Sequence, residues 1–311
     1  MHQAAAKKYK LVKKSRPKIA VLGGDERELM IMEALLKRGW QVTAYGRPAT
    51  VLPAGVAHSA QASQALEGVT GVILPAPPLR DGGRLYNAEG IEITAAAEDF
   101  AKLPAGTPVL AGVLSPFIRQ VGATYSLRLI ETLELDEIAN PFAIATAEGA
   151  LAIALSATGD VLHQGRALII GYGRIGQALA PRLQGLGMEI FIANRGAERL
   201  NRAAQDGFAT VSWPVWPSTA LRCNFIFNTA PQLLLDSTVL PQLKQDTVII
   251  DLAASPGGTD FNLAQSLGIQ ALLAGGLPGK YAPRFAGAVM AASYPRLLEQ
   301  HLKPATQEGA R

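Results

Sequence analysis

One cysteine, Cys223, and four scattered histidines, His2, His58, His163 and His301, are all the soft metal ligands in 311 residues. A single cysteine excludes an intramolecular disulfide and a cysteine-based zinc cluster, and the histidines have no metal-ligand spacing. Cys223, just before Phe225-Ile-Phe227, reads as a core thiol rather than a nucleophile. Charge is also scarce, at 17%, and it is unevenly spread. The net charge is +4, but residues 1–18 hold seven basic residues and no acid, leaving the rest of the chain at −3. A globally basic nucleic-acid binder is therefore excluded. Long apolar runs are missing too. The most apolar stretch, 143–157, is interrupted by Glu148 and falls short of a bilayer span. Met1–Arg16 is basic but no apolar segment of signal-peptide length follows it, so neither membrane nor export is expected and the cytoplasm is the expected location.

What the chain does have is apolar bulk and glycine: 49% hydrophobic residues, 31 Gly and 20 Pro. This is enough for two ordinary cores. Lys18-Ile-Ala-Val-Leu22, Gln41–Tyr45, Gly71–Leu74 and Pro108–Ala111 are short buried-type strands, with a helix over Glu26–Arg38 between the first two. Leu127–Leu135 stays ambiguous between strand and helix. A second series follows: Ala167–Ile170, Glu189–Ala193, Phe208–Val211, Phe225–Phe227, Thr247–Ile250 and Gln270–Leu273. Six strands with helical connectors is the number in a doubly wound dinucleotide fold. The spacing from Gly23 to Gly46 equals that from Gly171 to Asn194, 23 residues in each case. We therefore expect an α/β chain of two Rossmann-like, doubly wound parallel-sheet domains with an inter-domain cleft. The expected divisions are a flexible basic tail (1–17), a substrate domain (18–142), a nucleotide domain (143–285) and a C-terminal helix (286–311) returning to the first domain. Thr146–Ala157 is the expected joining helix.

The motif that carries chemistry is Gly171-Tyr172-Gly173-Arg174-Ile175-Gly176, which follows a strand and opens a helix. Gly171 permits the tight turn, Gly173 lets backbone approach a pyrophosphate, and Gly176 lets helix and strand pack closely. The first repeat reads Gly23-Gly24-Asp25-Glu26-Arg27 and lacks these spaced glycines, so the dinucleotide site belongs to the second. Its second strand ends Ile192-Ala-Asn194-Arg195-Gly196, with no acid before Glu198. A guanidinium there suits the 2′-phosphate of NADP, so NADP is expected ahead of NAD. Asn194 is expected at the ribose, with Arg199 assisting.

Three more loops leave strand ends on the ligand side of the sheet: Asn228-Thr229-Ala230-Pro231, Asp251–Asp260 and Gly275–Pro283. The first is expected to line the nicotinamide ribose. Arg80 and Ser115 from the first domain, with Lys280 and Arg284 from the second, are candidate partners for an anionic substrate. No histidine falls in a motif loop, so the histidine acid/base of 2-hydroxyacid dehydrogenases is not expected. Glu148 and Asp251 are the candidate proton acceptors.

These segments resemble the dipicolinate synthase A family. The resemblance rests on Ile19-Ala-Val-Leu-Gly-Gly-Asp25, Ile73-Leu-Pro75, Thr146-Ala-Glu-Gly149, the Gly171–Gly176 turn and Asn228–Pro231. Most specific are Asp251-Leu-Ala-Ala-Ser-Pro-Gly-Gly-Thr-Asp-Phe261 and Leu277-Pro-Gly-Lys-Tyr-Ala-Pro283. The resemblance implies oxidation of a dihydropyridine-type dicarboxylate to pyridine-2,6-dicarboxylate with NADP as acceptor. It also implies a partner, the flavoprotein-like dipicolinate synthase B, and the mother-cell cytosol of a spore-former as the setting. Homo-oligomerisation is left open. Two other readings stand beside this one: an amino- or imino-acid dehydrogenase of alanine-dehydrogenase-like architecture, and a non-catalytic cofactor-binding partner of dipicolinate synthase B.

Overall fold

The computed structural model describes residues 16–76 and 81–302; most of the basic tail and Arg80 lie outside the described residues. The chain forms two compact units. Among the described residues, the first holds 16–24, Ile31–Ile130 and 294–302; the second holds Asp25–Met30 and Glu131–Ser293. The divisions thus fall at 130/131 and 293/294, where the sequence reading puts them at 142/143 and 285/286.

The first unit opens with β1 (Lys18–Leu22), whose Ile19, Ala20, Val21 and Leu22 are fully buried. Helix α1 (Glu26–Lys37) follows, with acids in its first turn and Lys37 in its last, the arrangement the helix dipole favours. Next come β2 (Gln41–Tyr45), β3 (Val56–Ser59), α2 (Ala62–Ala65) and β4 (Gly71–Ile73). A short antiparallel pair, β5 (Arg84–Leu85) and β6 (Ile93–Thr94), precedes β7 (Pro108–Ala111), α3 (Pro116–Thr124) and β8 (Arg128–Glu131). The six other strands form one sheet in the order β3-β2-β1-β4-β7-β8. Strand β3 escapes sequence reading because it is an edge strand without a buried residue, so no apolar run marks it. The ambiguous 127–135 segment resolves into β8 followed by a 3₁₀ turn at Thr132–Glu134.

The second unit begins with α4 (Asp136–Ala157) and continues with β9 (Arg166–Ile170), α5 (Arg174–Gly185), β10 (Glu189–Ala193), α6 (Ala197–Gln205) and β11 (Ala209–Val211). Then follow α7 (Trp216–Ala220), β12 (Phe225–Asn228), β13 (Val248–Asp251), α8 (Phe261–Ser266), β14 (Gln270–Leu273), α9 (Leu277–Tyr281) and α10 (Pro283–Leu302). Its sheet runs β11-β10-β9-β12-β13-β14, and every pair in it is parallel. Within each unit this is the strand order 3-2-1-4-5-6 of the complete dinucleotide fold. The internal repeat is therefore a repeat of topology as well as of spacing.

Helix α4 corrects two expectations. It starts ten residues before Thr146 and carries Pro141 inside it. A proline there removes one backbone donor early in the helix, and the buried alanines that follow carry the helix on against α5 and α9. At 22 residues it is also long enough to cross a bilayer, contrary to the length argument above. Half of its apolar window is buried inside the protein, and Ala147, Ala150 and Ala154 belong to the core of the second unit. Burial, not length, identifies it as a core helix.

In the first unit, the end of β1 is closed by the chain that joins β5 to β6. The Gly24 N–H donates to the Tyr86 carbonyl at 2.7 Å, and the Ala88 N–H donates to the Gly24 carbonyl at 3.0 Å. Gly23, at φ +62°, faces the Tyr86 carbonyl so closely that a Cβ there has no room. Arg47, at the end of β2, is buried and donates to Glu89 Oε1 (Nε, 2.9 Å) and to the Gly24 carbonyl (Nη1, 3.2 Å), with Nη2 2.7 Å from Glu89. Glu89→Ala leaves this guanidinium buried without its counter-charge, and we expect a loss of about 3 kcal/mol from the stability of the first unit. Urea unfolding followed by Trp40 fluorescence reads it, since Trp40 is that unit's single tryptophan. Glu89→Gln, which keeps a hydrogen-bond acceptor, is expected to lose less.

Candidate nucleotide-binding site

At the end of β9 the same place in the fold is left open. The switch point of the second sheet lies between β9 and β12, whose chains leave in opposite directions, and ligands of open α/β sheets bind there. Gly171 adopts φ +101°, and a Cβ on it would strike the Thr229 hydroxyl. Thr229 is fixed by its own N–H and hydroxyl, both donating to the Ile170 carbonyl at 2.9 Å. A Cβ on Gly176 would strike the Gly171 carbonyl, so α5 starts flush against the turn. Its first N–H groups face the turn, the arrangement that receives a pyrophosphate.

Asn194 ties this turn to the end of β10. Its Oδ1 accepts the Tyr172 N–H at 3.2 Å, and its Nδ2 donates to the Gly196 carbonyl at 3.1 Å. Asn194 thus braces the turn while lining the cavity beside it. The Tyr172 side chain is buried beneath the turn, edge-on to Phe208 at 6.1 Å, with its hydroxyl donating to Asp206 Oδ2 at 2.8 Å. Burial and the Asp206 carboxylate hold the phenol above its ordinary range, while the bond from Tyr172 holds Asp206 below its own. Tyr172 is therefore a neutral post under the loop, not a contact within it. Ile175 packs on the core, and Arg174 turns to Asp136 at 2.8 Å and to the Glu134 carbonyl at 3.3 Å.

A cavity of about 340 Å³ opens beside the turn. Gly171, Asn194, Arg195, Arg199 and Ala230 line it, together with Gly196, Glu198, Trp213 and Gln232. A Cβ on Gly173 would come within 3.6 Å of Arg199 Nη1, so this guanidinium stands over the glycine turn. Two guanidiniums against one carboxylate, beside bare backbone at a switch point, fit the phosphate-bearing half of a dinucleotide. Trp213 and Gln232 were not found by sequence reasoning. They enter from a turn after β11 and a loop after β12, and no motif marks them.

The loop Asn228–Pro231 is built as a scaffold. Asn228 is fully buried; its Nδ2 donates to the Ala230 carbonyl (2.9 Å) and to Asp251 Oδ2 (3.1 Å), and its Oδ1 accepts the Ala230 N–H (3.1 Å). Pro231 is exposed beyond it.

Both proposed proton acceptors are corrected by their surroundings. Asp251 has no solvent exposure and accepts four hydrogen bonds: from Asn228 Nδ2, the Gly258 N–H (2.8 Å), the Thr259 hydroxyl (2.7 Å) and the Ala253 N–H (3.1 Å). Its lone pairs are spent on folding the Asp251–Asp260 loop. Glu148 is exposed and pairs with Arg182 at 3.3 Å on the outer face of α4, an ordinary surface ion pair.

Of the anion-binding candidates, Lys280 and Arg284 are exposed near each other in sequence, on α9 and at the start of α10. Ser115 caps α3 in the first unit, its Oγ accepting the Ile118 N–H at 3.4 Å. Arg80 lies outside the described residues. Cys223 is fully buried in the core, where burial pushes its thiol up to about 11.

Residues 18–133 match the family described as the N-terminal domain of dipicolinate synthase A, and residues 145–267 match the NAD-binding domain of D-isomer specific 2-hydroxyacid dehydrogenases. The chain is 29% identical over 287 residues to dipicolinate synthase A of Bacillus subtilis (strain 168), covering 91% of this chain and 96% of that protein. The crystal structure of dipicolinate synthase A from Bacillus halodurans superposes with a TM-score of 0.86 at 28% identity, over 91% of this chain and 97% of that one. A shorter match, 37% over 71 residues, covers 22% of this chain and 25% of shikimate dehydrogenase (NADP(+)) from Gluconobacter oxydans (strain 621H).

Asp251→Ala is expected to strand four buried donors and to lower stability by about 3 kcal/mol or more, read as a fall in urea midpoint. A catalytic base would behave in the opposite way, losing turnover while leaving stability intact. The Cys223 thiol is expected to resist aromatic disulfide reagents at pH 8 until the chain is unfolded.

Proposed function

The chain belongs to the dipicolinate synthase A family, and on that premise we propose that it is an NADP-dependent dehydrogenase forming dipicolinate. It oxidises dihydrodipicolinate, reached directly or after loss of water from its hydroxylated tetrahydro precursor. An NADP held at the Gly171–Gly176 turn, with Arg195 and Arg199 at its phosphate, would supply the acceptor for a ring hydride, leaving one proton for water. The ring becomes an aromatic pyridine, and that gain drives the step. The protein's task is then to hold a ring carbon in line.

The observation that carries the cofactor reading is the pair Arg195 and Arg199 on the open Gly171 turn. A phosphate monoester on the adenosine ribose offers them charge-assisted bonds that a hydroxyl cannot match. The NADP named for the shikimate dehydrogenase relative supports the same reading. For the substrate's two carboxylates the second unit offers Lys280 and Arg284. Neither Glu148 nor Asp251 is retained as base, and aromatisation in a solvated site needs no dedicated one. We place the reaction in the cytosol of a sporulating cell, with the flavoprotein-like dipicolinate synthase B as partner.

The test is the purified chain with dihydrodipicolinate synthase product and NADP or NAD, with and without dipicolinate synthase B, following nicotinamide reduction and pyridine absorbance together. Dipicolinate formation that depends on NADP is the expected result. Reductive amination of pyruvate instead would make the chain an amino-acid dehydrogenase. Binding without turnover, together with altered activity of the pair, would make it a non-catalytic partner. Arg195→Asp is expected to lower kcat/KM for NADP by at least about tenfold while NAD changes less than about threefold, because only the phosphate meets the new carboxylate. Equal losses for both cofactors would refute the NADP assignment.

A further inference from the structure

Arg195 does not stand alone at the mouth of its pocket. Its Cζ lies 5.2 Å from the centroid of the Trp213 ring, within cation–π range. One Nη2 hydrogen goes to Oε1 of Gln232. Both partners line the same cavity. The residues arrive from three places: Arg195 from the end of β10, Trp213 from the 3₁₀ turn Trp213–Val215 after β11, and Gln232 from the loop after β12. Trp213 is itself held. It is half-buried, packs on the core, and leans on the buried Trp216 ring with centroids 6.1 Å apart and planes tilted by 46°.

A long exposed arginine normally samples many rotamers, and a ligand must freeze it on binding. Here the indole face and the Gln232 amide freeze it beforehand. They use different parts of the guanidinium. The ring lies under the cationic carbon, Cζ, and Gln232 takes one N–H of Nη2. A neutral amide oxygen is a weaker acceptor than a phosphate dianion, so the phosphate displaces it and inherits an arginine already aimed. A ribose hydroxyl is neutral and has no such advantage.

We propose that Trp213 is the specificity-determining platform of this pocket: its ring aims Arg195 at a phosphate monoester on the adenosine ribose, and Gln232 is the exchangeable placeholder. The proposal rests on the NADP reading above and deepens it. Trp213 is a positioning residue, acting through Arg195. The face of the ring matters more than its volume, so phenylalanine is expected to substitute and leucine to fail.

Calorimetric titration of the full chain with adenosine 2′,5′-bisphosphate and with adenosine 5′-monophosphate isolates the 2′-phosphate. Trp213→Leu is expected to weaken the bisphosphate about tenfold and the monophosphate less than twofold. Trp213→Phe is expected to stay within threefold of the parent for both. Gln232→Ala is expected to leave the bisphosphate affinity equal or higher; a tenfold loss would overturn the placeholder role. Equal loss of both ligands in Trp213→Leu, or a phenylalanine variant as weak as leucine, would overturn the platform. Arg195→Leu separates this from the cofactor reading itself. If it does not discriminate between the two ligands, the NADP reading fails. If it discriminates and Trp213→Leu does not, only the platform falls.

Discussion

The chemistry of the second unit depends on keeping a short piece of backbone bare. Where β9 ends, the turn Gly171–Gly176 runs beside a cavity that Gly171 lines; the Gly171 and Tyr172 N–H groups are held by Ala193 and Asn194, the neighbouring chain, Asn228–Ala230, is tied back by its own hydrogen bonds, and the donors left over are the first N–H groups of α5. Backbone donors held open are costly unless something polar meets them, whether water or ligand. The first unit shows the alternative. There the chain from Tyr86 to Ala88 supplies the partners, a peptide strand occupying the place of a phosphate. Two copies of one topology thus differ in whether the switch point is satisfied from within or from outside. That difference makes one copy a frame and the other a binding site.

The arginines after the second strands follow the same divergence. Arg47 follows Gly46 as Arg195 follows Asn194. Arg47 is turned inward and neutralised by Glu89, with almost no exposure, and it serves stability. Arg195 is exposed, its Cζ over an indole ring and its Nη2 on a neutral amide, with no carboxylate bonded to it among the described residues. A guanidinium paired to a carboxylate must give up that charge partner to bind an anion, whereas one resting on neutral groups does not. The charge environment of each arginine, more than its position in the fold, decides what it can do.

Much of this was legible in the primary structure. Apolar runs bounded by glycine located the six strands of the second sheet, because buried parallel strands need continuous apolar residues. The equal spacing of the two repeats revealed the duplicated topology, and the glycine turn located the site. What stayed hidden is what depends on partners distant in sequence. Strand β3 has no buried residue to betray it. Helix α4 runs through Pro141 because its packing outweighs local propensity. Trp213 and Gln232 belong to no motif, and meet Arg195 only because β11, β10 and β12 end on the same edge of the sheet, the last two on either side of β9. Asp251 and Glu148 misled for a related reason. An acid in or beside a distinctive motif looks reactive in sequence, yet whether its oxygens are free, as neither Asp251's in its folded loop nor Glu148's against Arg182 are, is a property of the fold.

The fate of Asp251 bears on how such a site can work. A carboxylate that accepts four hydrogen bonds without touching water cannot serve a substrate, but it can make the surrounding loop stiff. It joins β13 to the Asn228 loop at the switch point, so the wall of the site is braced from behind by its hydrogen bonds. Positioning of a reacting ring within a few tenths of an ångström demands a wall of this kind. The aromatisation proposed above asks little of acid–base catalysis and much of alignment. The second unit has the means for it in polar side chains buried as struts: Asp251, Asn228, Asn194 and Tyr172.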